Sequence, residues 1–359
     1  MLRIGIVGLS GCGKTSLFRA LTPVRAVEIG AIGKRETHLG QATVPDPRLD
    51  ELNLIFQRPK LIHTSVEYVD VGGLAPGEAA KAALEGSFLA EIRTCDALLQ
   101  VLRKFSLPGF AEPDPARDFR SAEQEFLLAD QIILEKRLER LRKEAQKNPQ
   151  SELKRKAELL ERCLVTLNQE RPLRELDLPA IDEPFLRPYQ PLTLKPQLVV
   201  INLPEDEVAA IDEIAVQFRP QIGGEGVEIA ATCASIEMEI AQLDEESACE
   251  FRSDLGITTS ALDRLIQASY RLLGLISFFT IKGDECRAWT LKRGKNAREA
   301  AGVVHTDMER GFIRAEVVNF GDFQQHGSFA ACRSAGVLRL EGRNYIVQDG
   351  DIIEFRFAV

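Results

Sequence analysis

"RIGIVGLSGCGKTSLFRALT" (residues 3–22) decides the fold of this chain. Ile4, Ile6 and Val7 form an apolar run of strand length, and Ser16 through Leu21 resume with helical spacing, so the glycines occupy the turn between them. Strand, glycine turn and helix in that order make the context of a phosphate loop. Gly8 and Gly13 let backbone N–H groups converge on phosphate oxygens, Lys14 reaches the outer phosphates, and the Thr15 hydroxyl is placed to ligate Mg²⁺. Cys12 has two readings: a thiolate favoured by loop dipoles and Lys14, or a small side chain that simply fits.

The 359 residues suggest two or three domains, and 45% hydrophobic with 28% charged residues is ordinary for a soluble globular chain. Forty-five basic against 54 acidic residues give a net charge of -9, which argues against a nonspecific DNA coat but allows a local basic patch. No apolar stretch approaches the length of a membrane span and no secretory leader is evident, so a cytosolic location is expected. The seven cysteines are scattered without a Cys-x-x-Cys pair, as reduced thiols rather than a disulfide framework or zinc site.

The second informative segment begins "SVEYVDVGGL" at residue 65. Asp70 after an apolar strand, followed by Gly73, has the form of a DxxG element, in which the acid holds Mg²⁺ through water and the Gly73 N–H senses the γ-phosphate. Leu74 stands where many GTPases carry a water-orienting glutamine; an aliphatic chain cannot make that hydrogen bond, so hydrolysis is expected to be slow without a partner. Four glycines between residues 72 and 86 suggest a switch.

"ALLQV" (97–101) and "LVVI" (198–201) read as further buried strands. Between them, residues 120–147 and 151–168 carry leucines at heptad spacing, with "KNPQ" around Pro149 as the turn: an antiparallel helical hairpin inserted in the nucleotide domain. Residues 136–156 hold nine basic and three acidic side chains, so the hairpin tip is either an RNA-facing surface or a solvated coiled-coil face. After "LVVI" comes "NLPE" (202–205), where GTPases normally read N-K-x-D. Asn202 remains, but Leu203 replaces the lysine and Glu205 the aspartate, which spoils the guanine-recognising geometry and opens the site to adenine. Cys233 to Ser235 form a second base-side loop after a final strand.

From about residue 276 the apolar runs "RAWTL", "FIRAEVV", "NYIV" and "IIEFRF" alternate with glycine turns, as in a small mixed sheet with one or two helices. "NAREAAGVVHTDMERG" reads as a short helix followed by a loop, and His305 with Asp307 has no adjacent nucleophile, which favours a structural or recognition turn.

Taken together these elements resemble the YchF / Obg-like ATPase family over nearly the whole chain: "VPDPRLD" (44–50), "FLAEIRTCDALLQVLR" (88–103), Asn202 with Glu205, "LDRLIQASYRLLGL" (262–275), "RAWTLKRGKNAREAAGVVHTDMERGFIRAEV" (287–317) and "RLEGRNYIVQDGDIIEFRF" (339–357). The resemblance implies an α/β P-loop ATPase with a helical coiled-coil arm and a C-terminal β-grasp domain of the TGS type, Mg²⁺ and ATP as ligands, ATP preferred to GTP, and a ribosomal or ribosomal-RNA partner. On this chain it assigns phosphate binding to Gly8, Ser10, Gly11, Cys12, Gly13, Lys14, Thr15 and Ser16, catalysis to Lys14, Asp70 and Gly73, and metal ligation to Thr15 and Asp70. Asn202, Leu203, Glu205 and Ala234 would flank the base. The expected domains are 1–115 and 186–275 as the two parts of the NTPase domain, 116–185 as the arm, and 276–359 as the β-grasp domain.

Three departures from the family stand out. Gly11 occupies the place of an asparagine that can support a potassium ion; Lys34 stands where the first switch has a threonine, with Thr37 displaced by three residues; and "FSLPGFAEPDPARD" (105–118) lacks the histidine proposed to assist hydrolysis. Two functions follow: an ATP-hydrolysing switch acting on the translation machinery, or a nucleotide-responsive RNA- or protein-binding module with negligible hydrolysis.

Overall fold

Apolar runs too short for helices pair side by side to frame two sheets. A computed structural model describes residues 2–22, 27–32, 35–71, 88–147, 151–179, 181–257 and 260–358. The chain divides into two compact units, Met1–Ala42 with Glu67–Leu272, and Thr43–Val66 with Leu273–Val359. In chain order the strands are β1 (Arg3–Val7), β2 (Val27–Ile32), β3 (Arg35–Thr43), β4 (Lys60–Ile62), β5 (Ser65–Val71), β6 (Ala97–Arg103), β7 (Gln197–Asn202), β8 (Val227–Thr232), β9 (Leu275–Lys282), β10 (Glu285–Lys292), β11 (Phe312–Asn319), β12 (Arg339–Glu341) and β13 (Asp351–Phe357).

The first unit holds a sheet in the order β2-β3-β5-β1-β6-β7-β8. Strands β5, β1, β6, β7 and β8 run parallel, while β2 and β3 form an antiparallel pair. Every residue of β6 and β7 is buried, which is why these strands read as continuous apolar runs instead of alternating ones. The chain leaves β1 for one side of the sheet and returns on the other with β6, so the carboxyl end of β1 is the point where strand order reverses and a ligand crevice opens.

The arm consists of helices Pro115–Lys147 and Ser151–Asn168; the first starts five residues before the heptad pattern becomes visible. Leu134, Leu138 and Leu141 pack against Leu160, Cys163, Leu164 and Leu167, while Ala122, Phe126 and Ala129 of the same long helix cover Leu98 of the sheet. The expected turn at Pro149 lies outside the described residues. Buried polar groups pin the root of the arm. The Asp130 carboxylate accepts from Arg93 Nη1 (2.7 Å), from the backbone N–H groups of Leu192 (3.0 Å) and Thr193 (2.8 Å), and from Thr193 Oγ1 (2.8 Å). Breaking such a buried pair from one side costs about 3–5 kcal/mol, because the partner charge is left uncompensated.

The second unit holds a sheet in the order β12-β11-β13-β9-β10-β4. The β9–β10 hairpin, the parallel insertion of β13 beside β9, and β11 antiparallel to β13 make the β-grasp arrangement. One face packs Ile276, Phe278 and Leu291 against Ala297, Ala300 and Ala301 of helix Ala297–Val304, which begins with a capping box between Asn296 and Glu299. The other face is covered from two distant parts of the sequence. Leu49 and Leu52 of helix Pro47–Phe56, with Phe323 and Cys332, pack on Phe279, Cys286 and Ile352.

Residues 43–66, expected within the nucleotide domain, therefore fold with the C-terminal sheet, and β4 extends that sheet in parallel with β10. Burial of Leu49 and Leu52 against Phe279 is the reason. "NYIV" is not a strand: Tyr345 turns back on Gly342, its hydroxyl donates to Asp351 Oδ2 (2.8 Å), and only an isolated bridge joins Ile346 to Asn296. The expected loop after Val304 contains the short helix Thr306–Arg310, whose N-terminus is capped by His305 Nδ1 accepting from the Asp307 N–H (3.2 Å).

Candidate nucleotide-binding site

The loop between β1 and helix Lys14–Leu21 needs each glycine for a separate reason. A Cβ on Gly8 would lie 2.5 Å from the Val101 carbonyl oxygen of the neighbouring strand. Gly13 has φ 93°, and a Cβ there would lie 2.1 Å from Asn202 Nδ2. Gly13 is also the N-cap of the helix and supplies no side-chain cap, so the first-turn N–H groups face the loop without a side-chain acceptor. Such a helix terminus attracts an anion through its unsatisfied donors and its dipole. Ser10, Gly11 and Thr15 are exposed, while Lys14 is buried.

Lys14 Nζ donates to the Leu9 carbonyl oxygen (2.8 Å) and lies 3.7 Å from Cys12 Sγ. The ammonium is thus held over its own loop by a weak neutral acceptor that a phosphate oxygen outcompetes. Burial pushes the Cys12 thiol up and outweighs the opposing pull of Lys14, so the thiolate reading gives way to a small buried side chain that fills the loop.

Thr15 Oγ1 donates to Asp70 Oδ2 (3.0 Å), which brings the two expected metal ligands together from the phosphate loop and the end of β5. Asp70 is 3% exposed, burial raises its pKa, and its Oδ1 has no hydrogen-bond partner among the described residues. A buried carboxylate oxygen without a donor is costly on its own and suits a cation. The residues present therefore fit Mg²⁺. Gly73, Leu74 and Lys34 lie outside the described residues, and Thr37 is buried within β3.

Asn202, at the end of β7, joins the two loops. Its Nδ2 donates to the Cys12 carbonyl oxygen (3.0 Å), and its Oδ1 accepts from the Ala234 N–H (2.9 Å). One N–H and one lone pair of the amide are used within the protein, so Asn202 ties the phosphate loop to the loop after β8. Leu203 is 2% exposed and packs with Ile201, Val208 and Ile211 in the core, which takes its side chain away from a base-stacking role. Glu205 is exposed at the start of a short 3₁₀ turn, and Ala234 opens helix Ala234–Ile240. Two features escaped the sequence reading: the pairing of Lys104 with Glu207 beside the base loop, and buried Glu237 on helix Ala234–Ile240. A carboxylate beside Ile236 and Ile240 in an otherwise apolar helix face was the available signal for the latter.

Sheet order, phosphate loop and base loop define a P-loop nucleotide-binding domain of the GTPase class. Residues 3–147 match the family described as 50S ribosome-binding GTPase, and residues 275–358 match the YchF-type GTPase C-terminal domain, described as a protein of unknown function. The chain is 39% identical over 365 residues to a protein named ribosome-binding ATPase YchF from Bacillus subtilis, covering 100% of both. It is 37% identical to the protein of the same name from Escherichia coli O157:H7, covering 99% of each. The structure of the Schizosaccharomyces pombe YchF GTPase is similar with a TM-score of 0.82 at 26% identity, over 99% of this chain and 97% of that one. The chain belongs to the YchF family.

Burial pushes the Glu237 carboxyl up to about 7, against the Ala261 N–H and Arg252, which favour its charged form. The folded protein holds this proton more tightly than the unfolded chain does. The resulting penalty is absent below the ordinary value of 4.5, grows between 4.5 and about 7, and is complete above that. Glu237→Gln should therefore be more stable than the parent at high pH, by roughly 1–3 kcal/mol, with the gap closing on acidification. Urea unfolding of both proteins near pH 5 and pH 8 checks this, and a pH-independent gap would remove Glu237 as its source.

Proposed function

We propose that this chain is a cytoplasmic, Mg²⁺-dependent switch that binds ATP in preference to GTP, hydrolyses it slowly and associates with the ribosome. The observation that carries the nucleotide part is the Thr15–Asp70 pair, whose second carboxylate oxygen is buried and has no partner among the described residues, set beside a phosphate loop whose helix terminus is uncapped by a side chain. In this reading Lys14 exchanges the Leu9 carbonyl for phosphate oxygens, and Thr15 and Asp70 would hold the metal. Gly73 follows the state of the γ-phosphate. Mg²⁺, when bound, offsets phosphate charge. Gly8, Ser10, Gly11, Cys12, Gly13 and Ser16 complete the loop around the phosphates, and Glu205 with Ala234 flanks the base. Leu203 in place of the lysine of N-K-x-D, with its side chain buried in the core, supports acceptance of adenine.

The named relatives are ribosome-binding ATPases, and the arm supplies a surface that suits such a partner. Its tip is less electropositive than its composition suggests. Arg142 pairs with Glu161, Lys143 with Glu139, Lys154 with Glu158, Arg155 with Asp182 and Lys156 with Glu152. Lys136, Arg140 and Lys147 are exposed and carry no such pair among the described residues, so they are the better candidates for phosphate contacts.

A second reading, a binding module with negligible hydrolysis, is supported by the absence of a histidine from residues 105–118. Single-turnover hydrolysis separates the two. We expect slow ATP turnover that needs Mg²⁺ and is lost in Lys14→Ala; ATP binding without turnover would select the second reading, and no binding of ATP or GTP would overturn both.

Sedimentation with ribosomes in an ATP analogue, in ADP and without nucleotide tests the partner. We expect nucleotide-dependent binding that weakens with salt, and neutralising Lys136, Arg140 and Lys147 should lower both the affinity and its salt dependence. No cosedimentation in any state would exclude the ribosome.

A further inference from the structure

Gly11 has no side chain, and the space beside it is filled from elsewhere. A Cβ on Gly11 would lie 3.1 Å from Leu107 Cδ2 and 3.1 Å from Phe110 Cζ, so an apolar loop after β6 rests against the phosphate loop at this residue. Residues 104–111 are held in this place by specific bonds. Arg103, 5% exposed at the end of β6, donates from Nη1 to the Phe105 carbonyl oxygen (2.7 Å) and from Nη2 to that of Ala111 (2.6 Å). One guanidinium thereby draws both ends of the loop together, and it lies over the rings of Phe105 (5.9 Å) and Phe110 (5.7 Å). The turn is closed by the Phe110 N–H on the Leu107 carbonyl oxygen (3.1 Å), with Gly109 at φ 83°. At the other end the Lys104 N–H donates to the Asn202 carbonyl oxygen (2.9 Å) and the Lys104 ammonium pairs with Glu207. The loop therefore runs from the base loop to the phosphate loop, fastened at both.

We propose that Phe110 is a nucleotide-site residue that covers the phosphate loop at Gly11 and retains bound nucleotide, with Arg103 as the positioning residue that holds it there. The proposal rests on the nucleotide-binding reading above. An apolar ring beside phosphate-binding N–H groups excludes water and lowers the local dielectric, which strengthens those bonds and slows the exit of the ligand.

The test is stopped-flow dissociation of a fluorescent ADP with Mg²⁺ from the wild type, Phe110→Ala, Phe110→Leu and Arg103→Lys. Phe110 is 49% exposed, so its truncation should leave the thermal midpoint in place. We expect about tenfold faster dissociation for Phe110→Ala with little change in association, and a rate nearer the wild type for Phe110→Leu. Arg103→Lys, which cannot reach both carbonyls, should follow Phe110→Ala. Equal dissociation from wild type and Phe110→Ala would overturn this proposal alone. Failure of the wild type to bind the probe at all would overturn the nucleotide-binding reading together with it.

Discussion

The side-chain amide of Asn202 is the contact on which the site depends. It joins the Cys12 carbonyl to the Ala234 N–H, and so fixes the phosphate loop after β1 against the loop after β8. The glycine at residue 13 follows from this contact, since any Cβ there would collide with the amide nitrogen. Gly13 in turn caps helix Lys14–Leu21 without a side chain, which leaves its N-terminal donors to the loop. Placement of Thr15 against Asp70 comes one step later, because that hydroxyl is carried by the same first helical turn.

Fixing loops in this way needs a rigid frame, and the frame is the parallel sheet. β6 and β7 are buried along their whole length, and the residues at their carboxyl ends, Arg103 and Asn202, lie where this buried frame meets the loops. Both then act on loops: Asn202 on the phosphate loop, Arg103 on the loop that covers it. The arm is anchored to the same frame through Asp130, whose carboxylate has every oxygen engaged by Arg93, Leu192 and Thr193. Strand β5, which ends beside Asp70, begins in the segment 43–66 that folds with the C-terminal sheet.

What could be read from the amino-acid sequence was what local spacing encodes. The phosphate loop, the buried strands and the heptads of the arm each lie within a few turns of chain, and the nearness of Thr15 to Asp70 was expected because both residues are tied to those elements. The contribution of helix Pro47–Phe56 to the C-terminal sheet was not, since the partners of Leu49 and Leu52 lie beyond residue 272. Nor did composition disclose that most of the arm's tip cations face acids, because pairing depends on which side chains share a helix face. Asn202 was recognised as part of the base loop, yet its role as a bridge needed the distance to Cys12. The state of Cys12 was decided by burial, a property of the whole loop that its neighbours in sequence do not reveal.

Calorimetric titration of Mg·ADP into the wild type and Asn202→Ala measures how far nucleotide binding depends on the Asn202 bridge. Loss of two buried hydrogen bonds separates the phosphate loop from the Ala234 loop, so nucleotide affinity should weaken by about tenfold or more, in a protein whose sheet and arm still fold. Equal affinity in the two proteins would contradict it, because the phosphate loop would then keep its binding shape without the Asn202 bridge.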